Sequence, residues 1–269
     1  MKFKSWESYR SFSREIAKKS RYIFSEETKN FLEALLFTSE KRIRVLKEGT
    51  VLWRAQLGHD WRPEYAGEEL MDYFPTAYPP ERMKPLKDSA SEGRANPKGI
   101  PYLYLATDRD TALSEVRPWI GSIISAGQFK TAKELNLIDF SVEHGKERFF
   151  YFSEPSEEEK VKAVWSHIDN AFSQPVTESD LTSDYAPTQV IAEYIKSKDY
   201  DGIVYKSSLA KGHNITLFDL ESAFLVNCVI HEAKSLSFRF EQTDNMYYVN
   251  QHKKTHNKAI SADAKKPCG

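Results

Sequence analysis

The chain has 269 residues, 40% of them hydrophobic and 29% charged, with a formal net charge of −1 at neutral pH. That length and apolar content suffice for one substantial domain with its own core. The balanced charge gives no basic field of the kind that gathers nucleic acid, and the two cysteines, Cys228 and Cys268, are too few for a disulfide scaffold and lack metal-ligand spacing. No apolar run approaches the roughly 18 residues needed to span a bilayer. The amino terminus, MKFKSWESYR, has no signal-peptide apolar segment, so a soluble cytoplasmic protein is expected.

The first forty-odd residues read as helical. Phe12 and Ile16, with Tyr22 beyond them, mark a short helix amid a basic run, Arg14 to Arg21, that reads most simply as a solvated face. Ser25 is placed to cap a second helix, with Glu26 and Glu27 in its first turn and Phe31, Leu32, Leu35 and Leu36 as its apolar stripe. After Gly49, Val51-Leu52-Trp53-Arg54-Ala55 predicts a short strand, and an arginine inside it needs an anionic partner or an opening to solvent. From His59 to Glu92 the periodicity dissolves among Pro63, Pro75, Pro79, Pro80 and Pro85 and scattered aromatics. That stretch is either a wall or lid over a cleft or a meandering surface insertion anchored by its aromatics.

Gly93 to Gly99 has the punctuation of a loop, two glycines and a proline around Arg94 and Lys98. Ile100 to Ala106 then alternates as a strand, and Thr107 or Asp108 offers the N-cap of a helix that ends at Pro118. Ala112, Leu113 and Val116 form its buried side, which puts Glu115 at the margin of the stripe. Two readings stand there: a solvated residue paired with Arg117, or a functional carboxylate. Downstream, Phe129 and Leu135 to Val142 predict strands. Ser153 to Phe172 predicts an amphipathic helix with Val161, Val164, Trp165, Ile168 and Phe172 on one side. Gln174 to Tyr185 is polar and turn-rich, and Pro187 fits the first turn of a helix carrying Val190, Ile191 and Ile195. Ile203 to Ser207 and Ile215 to Phe218 predict strands around a loop at Ser208 to His213. Residues after Asn250 are rich in Lys, His and Ala and are expected to fray.

No metal motif emerges: His252 and His256 have helical spacing but lie in the polar tail without an acidic ligand. There is no Walker loop, no GxGxxG and no serine nucleophile elbow. Lys211-Gly212-His213-Asn214 reads equally as a phosphate contact or a hairpin turn.

An ordered set of segments remains. These are Leu52-Trp53-Arg54, Gly93-Arg94-x-Asn96-Pro97-x-Gly99, Tyr102 to Ala106, Ala112 to Val116, Asp201 to Ser207 and Gly212-x-Asn214-x-Thr216-Leu217-Phe218. Their content and order resemble the RES family, named for Arg, Glu and Ser, whose members include toxins of bacterial toxin–antitoxin pairs. The resemblance runs from about Val51 to Phe218. It matches the family's Arg to Arg94, its strand Tyr to Tyr104, its Glu to Glu115 and its Ser to Ser207, with Ser208 a rival because a one-residue slip exchanges strand faces. Arg54 matches another common family arginine, and Arg54, Asn96 and Asn214 are expected to hold the cofactor. The chain departs from the family in having Ala95 where Trp usually follows the loop arginine, a longer middle, and an added helical amino terminus.

The resemblance implies an α+β, ADP-ribosyltransferase-like fold, two small β-sheets around an NAD cleft flanked by helices. It also implies NAD⁺ as substrate; no metal is expected. An NAD⁺-consuming toxin-like enzyme is expected, a glycohydrolase or ADP-ribosyltransferase-like enzyme that cleaves the nicotinamide–ribose bond. Water, phosphate or a macromolecule would be the acceptor, and an Xre-like antitoxin the protein partner. The alternative is a catalytically silent module binding a nucleotide or a protein. Membrane and nucleic acid are not expected as direct ligands. The division expected is a helical extension over residues 1–48, a RES domain with a long middle insertion over 49–245, and a flexible tail over 246–269. In the roles this implies, Glu115 stabilises the charge developing at the ribose, Arg94 pairs the pyrophosphate, Tyr104 stacks on nicotinamide or ribose, and Ser207 bonds the sugar or orients Glu115.

Overall fold

A computed structural model describes residues 2–86, 90–145, 151, 153–174, 184–237 and 240–242. The chain divides into Met1–Leu236, which holds every element named below, and Ser237–Gly269, which has no helix or strand among its described residues. The tail after Asn250, with His252, His256 and Cys268, lies outside the described residues, as does most of the turn-rich stretch after Gln174.

Helix α1 (Ser8–Lys18) buries Tyr9, Phe12 and Ile16. The chain leaves the helix before Tyr22, which is exposed. Helix α2 (Glu26–Ser39) begins as its sequence requires: the Ser25 side chain accepts from the Thr28 N–H at 3.2 Å, and Glu26 and Glu27 occupy the positive end of the helix dipole. The Phe12 and Phe31 rings stack at 4.4 Å and hold the two helices together. Helix α3 (Pro80–Met83) is a single turn, and α4 (Arg109–Glu115) carries the carboxylate singled out above. Helix α5 (Glu157–Ser173) starts at a reciprocal capping box between Ser156 and Glu159, and α6 (Ala186–Lys196) has Pro187 in its first turn. Helices α1, α2, α5 and α6 bury their apolar stripes in one cluster with Ile138, Phe140, Ile203 and Tyr205. The first 48 residues therefore share a core with the strands that follow.

The strands are β1 (Ile43–Leu46), β2 (Val51–Leu57), β3 (Asp60–Ala66), β4 (Glu69–Thr76), β5 (Leu103–Ala106), β6 (Ile123–Thr131), β7 (Leu135–Asp139), β8 (Gly202–Lys206), β9 (His213–Leu217) and β10 (Ala223–Glu232). Eight of them form a mixed sheet in the order β1-β7-β8-β9-β5-β2-β6-β10, antiparallel except for the β7–β8 pair. The fold is α+β, a large sheet and a small two-stranded one flanked by helices. The two sheets that the sequence led us to expect are joined edge to edge: β5 and β2 share a single pair, Trp53 with Ala106, whereas every other junction carries three or more. Five strands lie on one side of that junction and three on the other. Period-two alternation sends Leu103 and Leu105 into a second apolar layer with Leu52, Met83, Phe129 and Leu217, opposite the helical core.

The stretch from His59 to Glu92 is more regular than its prolines suggested. Strands β3 and β4 form a separate two-stranded ribbon turned at Gly67, whose φ of +67° suits glycine. Pro63 and Pro75 are tolerated because both strands of a ribbon are edges, so a missing N–H leaves no third strand unpaired. Its register places Trp61 opposite Pro75 and Pro63 opposite Tyr73.

Since Phe31 joins α2 to both α1 and the shared core, Phe31→Ala should cost about 3–5 kcal/mol of unfolding free energy. Denaturant unfolding measures it. A loss under about 1 kcal/mol, the range of a typical surface change, would show that the amino-terminal helices are not integral to the core.

Candidate active site

Where β2 and β5 diverge, a cleft of about 190 Å³ opens, lined by Trp53, Arg54, Tyr104, Ala106, Glu115, Tyr205 and Asn214 among others. Its residues come from β2, β5, α4, β8 and β9, so the near-parting of the sheet creates the site.

Glu115 is the last residue of α4 and is exposed at the cleft. Two donors converge on its Oε1: the Ser207 hydroxyl at 2.6 Å and the Asn214 side-chain amide at 2.8 Å. Ser207 itself accepts from the backbone N–H groups of Leu209 and Ala210 at 3.2 and 3.1 Å, which directs its one proton toward the carboxylate. Ser207 is buried and bonded to Glu115, whereas Ser208 is exposed. Glu115 Oε2 has no donor among the described residues. This carboxylate is held in place on one oxygen and left open on the other.

The pairing depends on α4 being fastened to the β8–β9 turn. Asp108 caps α4 by accepting from the Thr111 N–H at 2.9 Å and its hydroxyl at 2.8 Å. The Gly212 N–H donates to the Thr111 hydroxyl at 3.1 Å and the His213 N–H to the Thr107 hydroxyl at 3.0 Å. Burial works against ionisation of Asp108, but the bonds from Thr111 and Thr107 outweigh it and hold its pKa below the ordinary value. Gly212 is required by close approach: a Cβ there would collide with the Asp108 carboxylate and the Thr111 hydroxyl.

Arg54 forms the opposite wall. Its Nη1 donates to the Tyr104 carbonyl at 2.9 Å, while its Nε is buried with no acceptor. Burial lowers the guanidinium pKa to about 10, against which the Tyr104 phenol acts weakly, and among the described residues no carboxylate offsets the loss of water. Burial also pushes the Tyr205 phenol up to about 12; Arg94 pulls the other way and Glu115 adds to the rise.

Two expected site residues lie outside this arrangement. The Arg94 guanidinium donates to the carbonyls of Ala171, at 2.9 Å, and Gln174 at the carboxyl end of α5. It clamps the loop to the helix and neutralises that helix end; Arg54, and not Arg94, lines the cleft. Asn96 is a knot inside the same loop: its amide donates to the carbonyls of Ser91, Pro97 and Ile100, and its Oδ1 accepts from the Tyr104 hydroxyl at 2.7 Å. The Tyr104 hydroxyl in turn accepts from the Ala95 N–H at 3.0 Å. Burial drives the Tyr104 phenol far above its ordinary pKa, so it serves as a neutral donor and presents only its ring to the cleft. Ala95, in the family's usual Trp position, is completely buried in the helical core.

Sequence reasoning missed a second cavity, of about 380 Å³, that shares Arg54 and Tyr104 with the cleft and adds Gln56, Arg82, Lys84 and Asn96. The signal was available in two cations flanking Met83, but it lay in the stretch without periodicity. Tyr205 was likewise passed over as a strand residue. A third cavity, of about 260 Å³ around Arg42, His144 and Asp169, contains none of the expected residues. Among the described residues no group of His, Cys, Asp and Glu is arranged to hold a metal ion, and no helix is long and apolar enough to cross a membrane.

The model of the RES domain family matches residues 51–241, well over half of the chain. The protein belongs to the RES domain family. The match takes in Arg54, Glu115, Ser207 and Asn214 and extends beyond the segments quoted above into β10. The M. tuberculosis MbcT–MbcA toxin–antitoxin complex contains a chain similar to this RES protein at 12% identity, covering 74% of this chain and 92% of that one with a TM-score of 0.39. A search of curated proteins found no match.

Tyr104→Phe keeps the ring in the cleft but removes the partner of Asn96 Oδ1 and of the Ala95 N–H. It should lower unfolding free energy by about 1–3 kcal/mol, the cost of leaving buried groups unpaired, as read by urea denaturation. Unchanged stability would mean that the hydroxyl is not the tie that holds the loop.

Proposed function

We propose that this RES protein cleaves the nicotinamide–ribose bond of NAD⁺. The observation that supports this most strongly is the polarity of the cleft: a carboxylate with one oxygen free of donors faces a half-buried cation that no carboxylate neutralises, among the described residues. A dinucleotide presents the complementary pattern. Its reacting ribose becomes cationic as the bond breaks, and its pyrophosphate is anionic throughout.

In this reading the bond's electron pair leaves with nicotinamide, which departs neutral, and C1′ becomes oxocarbenium-like. Glu115 stabilises that charge through Oε2, while Ser207 and Asn214 keep the carboxylate in one orientation. Arg54 pairs with the pyrophosphate. The rings of Tyr104 and Tyr205 give the nicotinamide half flat apolar walls. The acceptor, whether water, phosphate or a macromolecular nucleophile, adds its lone pair at C1′ and loses a proton. Arg94 and Asn96 act indirectly by fixing the loop that carries Tyr104's partners. In a toxin-like protein of this kind, a protein antitoxin would inhibit by covering the exposed mouth of the cleft at Glu115, and the cytoplasm, where NAD⁺ is abundant, is the fitting compartment.

Incubating the purified protein with NAD⁺, with and without phosphate, and identifying products by mass spectrometry should reveal free nicotinamide. Glu115→Gln keeps the shape and should lower kcat on the order of 10²–10³-fold with little change in KM. Glu64→Gln, on the exposed ribbon, should have no effect. Intact NAD⁺ with every acceptor, or a folded Glu115→Gln protein with normal turnover, would overturn the assignment.

A further inference from the structure

The cavity on the far side of Arg54 is unusual in its charge. Arg54, Arg82 and Lys84 line it with Gln56 and Ser91, and no carboxylate does so among the described residues. Like charges gathered in a concave, partly desolvated place are unfavourable unless an anion joins them. Arg54 shows the strain most directly, with a buried Nε lacking an acceptor and a pKa pulled down by burial.

The two added cations are also held rather than loose. Met83, between them, is completely buried against Leu52 and Phe129, which bolts α3 to the sheet. The Arg82 guanidinium lies 4.3 Å from the centre of the Tyr78 ring, and the Tyr78 N–H donates to the Ser125 hydroxyl at 3.0 Å. Lys84 reaches Glu221 at 3.3 Å, but that carboxylate is 71% exposed at the rim, so water screens the pair. A ligand phosphate competes with it easily.

We propose that Arg82 and Lys84, with Gln56 as an uncharged donor, form a phosphate-binding subsite next to Arg54 that takes a phosphate group on the adenosine side of the bound dinucleotide. The inference rests on the reading of the cleft as a dinucleotide site. With the reacting ribose at Glu115 and Arg54 at the junction of the two cavities, the adenosine half has this basic cavity to enter. Two sources share the chemistry: the pyrophosphate itself, or an additional phosphate on the adenine-side ribose, as in NADP⁺. The guanidinium grips phosphate oxygens in pairs, and the ammonium adds a point charge.

Titration calorimetry with ADP-ribose, 2′-phospho-ADP-ribose and adenosine tests this on the wild type, Arg82→Ala, Lys84→Ala and the double variant, with thermal melts confirming folding. The double variant should bind the phosphorylated ligands at least about tenfold more weakly and leave adenosine unaffected. An equal loss for both phosphorylated ligands assigns the subsite to the pyrophosphate; a larger loss for the 2′-phosphorylated one assigns it to the ribose phosphate. Unchanged binding of both in a folded double variant, or no binding to the wild type, would overturn the proposal. The two readings fail separately. Cleavage of NAD⁺ by a double variant that binds both phosphorylated ligands as tightly as the wild type would remove the subsite alone. Tight phosphate-dependent binding without cleavage would remove the reaction alone.

Discussion

The site depends on one carboxylate oxygen. Glu115 Oε1 accepts from Ser207, at the end of β8, and from Asn214, on β9, and these two bonds turn an exposed helix-end glutamate into a fixed charge. An unrestrained glutamate at a helix terminus samples several rotamers and is solvated in all of them. Fixing one oxygen removes that freedom and leaves the other aimed by geometry, which is what electrostatic preorganisation requires. The bonds form only because Asp108, Thr107 and Thr111 fasten the start of α4 to the turn at Gly212 and His213. A change at Gly212 would reach Glu115 without touching it.

The second constraint is the near-parting of the sheet. A continuous sheet would have placed β2 and β5 in register along their lengths and closed the space that Arg54 and Tyr104 enter. With a single pair at Trp53 and Ala106, Arg54 can turn its guanidinium toward the Tyr104 carbonyl and border a cavity on either side. The consequence is a gradient of charge across the two cavities that Arg54 borders, acidic where Glu115 stands and basic beyond Arg54. Such a gradient orients an anionic ligand before any specific contact is made.

Much of this was legible in the sequence, for reasons that can be named. Ser25 and Asp108 are short acceptors placed immediately before apolar periodicity, and both cap the helices they announce. The order of the family-like segments led to Glu115, Ser207 and Asn214, which the fold brings to one point. What the segments did not encode was direction. Arg94 and Asn96 occupy the matching loop, yet their side chains satisfy carbonyls of α5 and of the loop itself, because buried backbone acceptors there need donors. The ribbon of β3 and β4 was hidden by prolines that only a two-edged ribbon accepts. Strand β5 starts at Leu103, later than the alternation suggested, since Pro101 has no N–H to pair. Strand β10 lies at the sheet's edge with six of its ten residues exposed, so its alternation carries little apolar contrast.

The central claim is spatial: one dinucleotide spans both cavities with its reacting ribose at Glu115. A crystal structure of Glu115→Gln protein soaked with NAD⁺ tests it most directly, because the slowed variant retains the unreacted ligand. The account predicts the nicotinamide ribose beside residue 115, the pyrophosphate on Arg54, and the adenosine half in the cavity walled by Arg82 and Lys84. Density for the dinucleotide elsewhere, such as the separate cavity around His144 and Asp169, would contradict it.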